Sequence, residues 1–263
     1  MTTPVAPGVR SRGLLAALLL AGALACAAFA ALGGWQLRRL AWKEDLIARV
    51  ESHLRAAPVA APAPAAWSAL GRGDEYRRVR LRGRYEHEHE TAVRAVTALG
   101  GGYWILTPML CEGGFRVLVN RGFVPAELRP RATRAAQEPA GVQQLTGLLR
   151  FSEPGGSLLQ RNDPSADRWV SRDVRAIAAA RGLERAVPAA PVAPYFVDAE
   201  TDSATPAAWP RAGLTVVRFS NNHLVYAVTW FALALMTAGA MAYLVVDARR
   251  RAAGERPLAH DRD

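Results

Sequence analysis

Two long apolar segments bracket the chain, one near each end. Residues 14–32 and residues 224–246 are each almost free of charged side chains. A helix of about 20 residues, at 1.5 Å rise per residue, crosses the roughly 30 Å hydrocarbon core of a bilayer. The pattern therefore predicts two transmembrane helices, which put both termini on one side of the membrane and the intervening chain on the other.

Between these segments the polar pattern changes to that of half-buried strands. In residues 77–85, apolar Val79, Leu81 and Tyr85 alternate with a row of arginines: Arg78, Arg80, Arg82 and Arg84. This period of two predicts a strand with one buried face. Further strands are predicted at residues 91–96, 103–110, 115–120, 145–150, 195–197 and 214–219, with turns at residues 100–102 and 113–114. One helix is predicted at residues 173–181, ending at Gly182.

This order of elements predicts an α+β membrane protein. Its two transmembrane helices form a hairpin that brackets a mostly antiparallel β domain, which we expect to be a sheet or a partly open barrel. The predicted boundaries are cytoplasmic tails at residues 1–12 and 247–263, spans at 13–33 and 223–246, and an extracytoplasmic domain at 34–222. Within that domain we predict a juxtamembrane helix at residues 34–56, from its helical apolar period. Residues 57–66, rich in Pro and Ala, are predicted as an extended linker or a capping loop.

Flanking charge sets the predicted orientation. Arg10 and Arg12 precede the first span and residues 249–251, all arginine, follow the second, so both tails are placed in the cytoplasm. Arg38, Arg39 and Lys43 lie on the outer side and weaken the argument. A cleaved signal peptide is an alternative for the N-terminal segment, but its apolar run is longer than a usual signal core, which favours an uncleaved anchor. We expect the cytoplasmic (inner) membrane of a bacterium.

The net charge of +10 does not indicate a nucleic-acid partner. Lys43 is the only lysine, and the arginines are spread along the chain instead of forming a basic run. Cys26 and Cys111 are far apart in the predicted topology and form no C-x-x-C motif, so no disulfide is expected within the domain. The hydrolase, zinc-protease and Walker motifs are missing, which argues against an enzyme.

His223, at the mouth of the second span, is the sharpest chemical candidate. A histidine at the end of a transmembrane helix is costly unless it has a hydrogen-bond partner or a functional role. A neutral imidazole is a common axial ligand of haem iron. The alternative is that Asn221, Asn222 and His223 only cap and anchor the helix. Aromatic residues lie near both mouths, where they form either an ordinary interfacial belt or the flanks of a planar tetrapyrrole: Trp35, Trp42, Tyr226 and Trp230.

Two further features admit a functional and an ordinary interpretation. His87 and His89 would share one face of a strand and form a possible metal pair, although a solvated charged turn fits them better. The arginine row of residues 78–84 can meet propionates or lipid phosphates, or it can be a solvated strand face.

Three sequence blocks resemble the Surfeit locus protein 1 family. They are Gly34-Trp35-Gln36-Leu37-x-Arg39 with Trp42-Lys43, then Val119-Asn120-Arg121-Gly122-Phe123-Val124-Pro125, then Asn221-Asn222-His223-Leu224-x-Tyr226-Ala227-x-Thr229-Trp230-Phe231. Weaker matches lie at Arg78-Val79, at residues 103–108, and at Asn162-x-Pro164 leading to Trp169. The blocks occur in family order and cover most of the chain.

The resemblance implies a non-catalytic assembly factor for haem-copper cytochrome c oxidase that carries haem a to the catalytic subunit. His223 is then the expected haem iron ligand. The cofactor site expected from the resemblance consists of His223, Trp35, Gln36, Arg39, Asn222, Tyr226 and Trp230. We expect Asn120 and Arg121 to form a structural or partner surface instead. Expected partners are the oxidase catalytic subunit, membrane lipid and the enzymes of haem a synthesis.

Two other roles stay open as alternatives. A haem-free scaffold would hold the catalytic subunit ready for insertion without touching haem. A copper chaperone is disfavoured because copper(I) delivery uses paired soft ligands, whereas the domain offers only Cys111 and Met109.

Overall fold

The computed structural model describes residues 7–156, 160–201, 209–214 and 221–254. The chain divides into two compact units: a helical unit, Met1–Ile47 with Phe219–Asp263, and a β domain, Ala48–Arg218. Three α-helices are present in the described residues: α1 (Pro7–Arg55), α2 (Val174–Ala180) and α3 (His223–Gly254).

Helices α1 and α3 are both long and apolar enough to cross a membrane. Their most apolar windows are 0% and 11% buried, so the apolar side chains face outwards instead of filling a protein core. Two such helices fit a membrane protein, in which lipid covers those side chains. Helix α1 continues without a break beyond the apolar segment as far as Arg55.

The β domain is a sheet of seven strands. They are β1 (Val59–Ala60), β2 (Arg78–Tyr85), β3 (Thr91–Thr97), β4 (Gly100–Cys111), β5 (Arg116–Pro125), β6 (Val142–Phe151) and β7 (Val192–Ala199). Short 3₁₀ helices join them at Pro64–Ala69, Arg72–Asp74, His87–His89, Ala126–Leu128, Arg131–Thr133, Ala135–Gln137 and Pro164–Ala166.

Five of the strands close into a barrel, in the order β2-β6-β7-β5-β4 and back to β2. The closing pair is short, because only Gly83, Arg84 and Tyr85 of β2 pair with β4. All pairs in the ring are antiparallel except β5 with β7. The predicted mostly antiparallel β domain between two apolar helices is confirmed, and the barrel is closed.

Two apolar cores lie on opposite faces of the same strands. The first fills the barrel with inward side chains such as Val117, Val119 and Tyr195. The second lies outside the barrel, where Phe196 packs with Ile177 of α2. Alternate residues of β5 and β7 are therefore buried on both faces, which explains the continuous apolar runs in these two strands.

One local prediction was wrong. Residues 100–102 begin strand β4 instead of forming a turn, and Gly102 is needed there because a Cβ would lie 2.5 Å from the ring of Phe123. The segment rich in Pro and Ala contains β1 and packs on the domain, where the Pro62 carbonyl accepts hydrogen bonds from Trp67 Nε1 (2.9 Å) and Tyr195 Oη (2.7 Å). The strand predicted at residues 214–219 lies, apart from Leu214, outside the described residues.

Candidate functional site

The apolar parts of α1 and α3 pack as an antiparallel hairpin within the helical unit. Phe29 stacks on Trp230 with ring centroids 5.8 Å apart, and the Cys26 thiol donates to the Ala234 carbonyl at 3.5 Å. The contacts run from Gln36 with His223 at one end to Gly22 with Met241 at the other, so the two helices are antiparallel. The contacting residues of α1 are Gly22, Cys26, Phe29, Gly33 and Gln36, and they face His223, Trp230, Phe231, Ala234 and Met241. Steps of four and three residues along α1 make a period of 3.5, that of a coiled-coil seam.

Small residues let the two helices approach closely. A Cβ on Gly33 would lie 2.8 Å from the Phe231 ring, and a Cβ on Gly22 would lie 2.7 Å from Met241 Sδ. Glycine at these positions is the usual means by which membrane helices pack, since lipid offers no hydrophobic drive for their association. The seam is therefore built by close packing, and a larger residue at Gly33 would push the helices apart.

Among the seam contacts of the described residues, one hydrogen bond joins two polar side chains. His223 Nδ1 is 2.7 Å from Gln36 Oε1, Gln36 is only 9% exposed and His223 is half-buried. An amide oxygen only accepts hydrogen bonds, so Nδ1 carries the proton and donates it. When the ring carries only this proton, its Nε2 atom keeps a lone pair and is the one ring nitrogen able to bind a metal.

Trp35, Arg39 and Trp42 share one face of α1, beside the seam. Their spacing of four and three residues aligns them along the helix, and Arg39 lies over the Trp42 ring at 4.7 Å. Both tryptophans are 48% exposed. The structure thus presents two aromatic rings and one guanidinium on an open surface next to Gln36.

The remaining predicted residues on α3 differ in their surroundings. Trp230 is half-buried on the seam and stacks on Phe29, so one face of its indole is already covered. Tyr226 is 54% exposed, and its N–H donates to the Asn222 carbonyl at the start of the helix. Asn221 Oδ1 is buried and accepts no hydrogen bond from the described residues.

Asn120 and Arg121 have separate roles in the β domain. Asn120 is buried; its Nδ2 donates to Asp198 at 2.7 Å and its Oδ1 accepts from the Gly122 N–H. Asp198 also pairs with Arg150 and with a second arginine of the domain. Asn120 therefore holds a buried charged network in place and offers no partner surface.

Arg121 lies against the 3₁₀ turn that holds the predicted histidine pair. It donates to His87 Nδ1 at 3.2 Å and lies 5.3 Å from the ring centroid of Tyr85. A guanidinium only donates, so Nδ1 accepts and the ring in this contact is neutral, while Nε2 donates to the Pro139 carbonyl. Burial, and then the Arg121 charge, lower the pKa of His87, while burial raises the pKa of Tyr85 to about 12.

The turn favoured for His87 and His89 is present, although His87 is buried in it and not solvated. These residues form a 3₁₀ turn instead of a strand, so they do not share a strand face. No group of three metal-ligating side chains occurs in the part of the chain that the structure describes. The arginine row of β2 does alternate as predicted: Arg80, Arg82 and Arg84 are exposed, and Arg82 pairs with Glu112 at 3.3 Å.

Sequence reasoning named both members of the polar pair but missed the seam that joins them. The sequence does contain a signal for the seam: the small residues Gly22, Cys26 and Gly33 follow a 3.5-residue period that continues to Gln36. An apolar stretch shows little amphipathic contrast, and such a period is easily overlooked there.

Comparison with known proteins agrees with the sequence blocks. The profile of the SURF1 family matches residues 23–235. Surfeit locus protein 1 of Homo sapiens is 35% identical over 78% of this chain and 70% of its own length. The protein of the same name from Rattus norvegicus is 33% identical over 78% of this chain and 68% of its own. The SURF1-like protein of Drosophila melanogaster is 34% identical over 78% and 70%.

The matched region includes the seam of the hairpin except its Gly22–Met241 contact, together with the whole β barrel and all three sequence blocks. This chain belongs to the SURF1 family, which is known as a family of oxidase assembly factors.

Proposed function

We propose that this protein binds haem a through His223 and helps to insert it into the catalytic subunit of cytochrome c oxidase. Membership of an assembly-factor family supports the oxidase as the client. The observation that carries the haem proposal is the hydrogen bond from His223 Nδ1 to Gln36 Oε1. Haem a is cargo here, and no catalytic step is assigned to the chain.

The chemistry of this pair suits an axial ligand. Histidines that bind metals usually donate their second ring N–H to a carbonyl or carboxylate, which fixes the tautomer and makes the ligating nitrogen more basic. Gln36 supplies that acceptor at 2.7 Å and is itself held in the seam. A single histidine ligand leaves the sixth position of the iron weakly held or open, which suits a carrier that must release its cargo.

The neighbouring residues suit the rest of the haem. Haem a has an apolar farnesyl tail and two charged propionates. The exposed apolar surface of the two helices can hold the tail beside lipid. Arg39 can pair with a propionate, and the half-exposed rings of Trp35 and Trp42 can contact the macrocycle. Asn222 directly precedes α3 and Tyr226 lies in its first turn, and these two residues complete the candidate site.

We place the protein in the cytoplasmic membrane of a bacterium, with α1 and α3 as two spans and the β domain outside the cytoplasm. The arginines that flank both spans support this orientation. The enzymes of haem a synthesis would supply the cargo, and the oxidase catalytic subunit would receive it.

The proposal is tested by purifying the protein from a host that makes haem a and recording reduced-minus-oxidised spectra. We expect haem a in the unaltered protein and in His89→Ala, a matched loss of a histidine elsewhere, but little in His223→Ala. Gln36→Glu keeps an acceptor for Nδ1 and should retain haem. Gln36→Leu removes the acceptor and should weaken binding about 10- to 100-fold, as losses of such supporting groups do.

Equal haem in the unaltered protein and in His223→Ala would contradict ligation by His223. If no preparation carries haem while oxidase assembly still depends on the protein, the haem-free scaffold is the better account.

A further inference from the structure

A polar cavity of about 230 Å³ lies in the β domain, on the outer face of the β3–β4 hairpin. Ala92 and Arg94 of β3 and Tyr103 of β4 line it. The other lining residues are Arg129, just after the 3₁₀ helix Ala126–Leu128, and residues 166–169. A water molecule occupies about 30 Å³ of liquid, so this volume accepts a small polyatomic ion; drug-sized ligands use about 300–1,000 Å³.

The charges that face the cavity are predominantly positive. Arg94, Arg129 and Arg168 line it together with a single carboxylate, that of Asp167. Arg168 already pairs with Asp163 at 2.9 Å. In the described part of the chain, Arg94 and Arg129 have no carboxylate partner. Two guanidinium groups therefore remain available for an anion.

The Asp167 carboxylate already accepts two hydrogen bonds from other side chains of the domain. Its Oδ1 accepts hydrogen bonds from Arg181 at 2.6 Å and from Trp169 Nε1 at 2.9 Å. Its backbone is left-handed, with φ of 48°, an uncommon conformation for a residue other than glycine. The Asp167 carbonyl in turn accepts from Arg129 at 3.2 Å. The carboxylate thus neutralises Arg181 and leaves the charges of Arg94 and Arg129 unbalanced.

Arg129 is held in position from two sides. Its guanidinium lies 4.9 Å from the ring centroid of Tyr103 while it donates to the Asp167 carbonyl. An arginine fixed in this way loses little further side-chain entropy when it binds an anion, since its planar fork is already oriented. Arg94 is exposed and can adapt to a bound group.

We propose that this cavity binds a small free oxyanion, phosphate or carboxylate, through Arg94 and Arg129. Guanidinium forks match the geometry of both anions, and charge-assisted hydrogen bonds are stronger than neutral ones. All lining residues belong to the β domain, so the proposal does not depend on haem or on the helical unit.

The test is calorimetric titration of the full chain in detergent, from a host without haem a, in a buffer free of other oxyanions. Inorganic phosphate and acetate are titrated separately at equal ionic strength, which distinguishes a tetrahedral from a planar ligand. We expect saturable binding of one or both, weakened about tenfold or more in Arg94→Gln and in Arg129→Gln. Arg80→Gln and Arg84→Gln remove the same charge from the exposed face of β2 and should leave the affinity unchanged.

Arg94→Gln is the decisive variant because Arg94 has no side-chain partner in the described residues and its loss should not disturb folding. Binding of neither anion would overturn the proposal. Equal weakening in the variants of Arg80, Arg84 and Arg94 would also overturn it, because the anion would then respond to overall charge and not to the cavity.

Discussion

Gly83 lies where β2 meets β4 and closes the barrel. It pairs with Cys111, and only two further residue pairs hold this junction. A Cβ on Gly83 would overlap the Leu110 carbonyl oxygen and lie 2.8 Å from Cys111 Cα. Both atoms are backbone, so no side-chain rotation can relieve the contact. To restore an ordinary 3.4 Å contact the strands must separate by at least 0.6 Å.

Gly83→Ala should therefore destabilise the β domain by weakening its closure. Overpacking typically costs about 1–3 kcal/mol, and one strained hydrogen bond between the strands adds about 1 kcal/mol. A domain of this size loses roughly 2–4 °C in Tm per kcal/mol, so we expect a fall on the order of 5–10 °C. Thermal unfolding of the full chain in detergent, followed by tryptophan fluorescence, measures it.

Gly101→Ala is the matched control. Gly101 lies in β4, the strand that pairs with β2 at the closure, and a Cβ there has no neighbour within 4 Å among the described residues. This substitution should leave Tm unchanged or raise it slightly, because alanine reduces the freedom of the unfolded chain. Equal Tm values for the two variants would refute the tight closure at Gly83.

Two further predictions concern the hairpin and the turn at His87. Gly33→Leu should reduce the amount of bound haem a, because the larger side chain displaces Phe231 and opens the seam. Gly34→Leu is the control and should retain haem a, since a Cβ on Gly34 meets no described atom within 4 Å. Reduced-minus-oxidised spectra of the purified variants measure the bound haem a, and equal amounts in both would count against the seam. The pKa of His87 is lowered in the folded state, so the unfolded chain takes up this proton first as pH falls. Stability from neutral His87 is thus complete above about pH 6.5 and declines below it. His87→Gln should flatten the fall in Tm between pH 7 and pH 5, and an unchanged slope would contradict a stability contribution from the burial of neutral His87 beside Arg121.

The sequence predicted the elements well wherever one periodic signal dominated. The alternation of β2 was clear because its arginines face solvent along the strand. The start of α2 followed from Asp173, whose side chain accepts from the Ala176 N–H as an N-cap. The apolar segments gave both long helices by length alone.

The pairing of strands that are distant in the chain could not be predicted from the sequence. The parallel contact of β5 with β7 joins strands that are far apart in the chain, and no local pattern encodes it. Strand β5 was predicted too short, as residues 115–120, because burial on both faces removes the alternation that marks a strand end. Gly102 was assigned to a turn, although its actual role is a close approach within the sheet.

The candidate site was predicted as residues but not as an arrangement. Gln36 and His223 were both named from the sequence blocks, yet which ring nitrogen carries the proton depends on a contact between residues 187 positions apart. The cavity of Arg94 and Arg129 gave no signal, because its members come from three separate segments with no shared motif.

The most direct test of the central claim uses membranes from a strain that lacks this protein, complemented with either the unaltered chain or His223→Ala. Reduced-minus-oxidised spectra report haem a beside the b- and c-type haems of the same membranes, and equal protein levels are checked by immunoblot. We predict that the unaltered chain restores the haem a band and that His223→Ala leaves it low with the b- and c-type bands unchanged. Full restoration by His223→Ala would contradict delivery of haem a through this histidine.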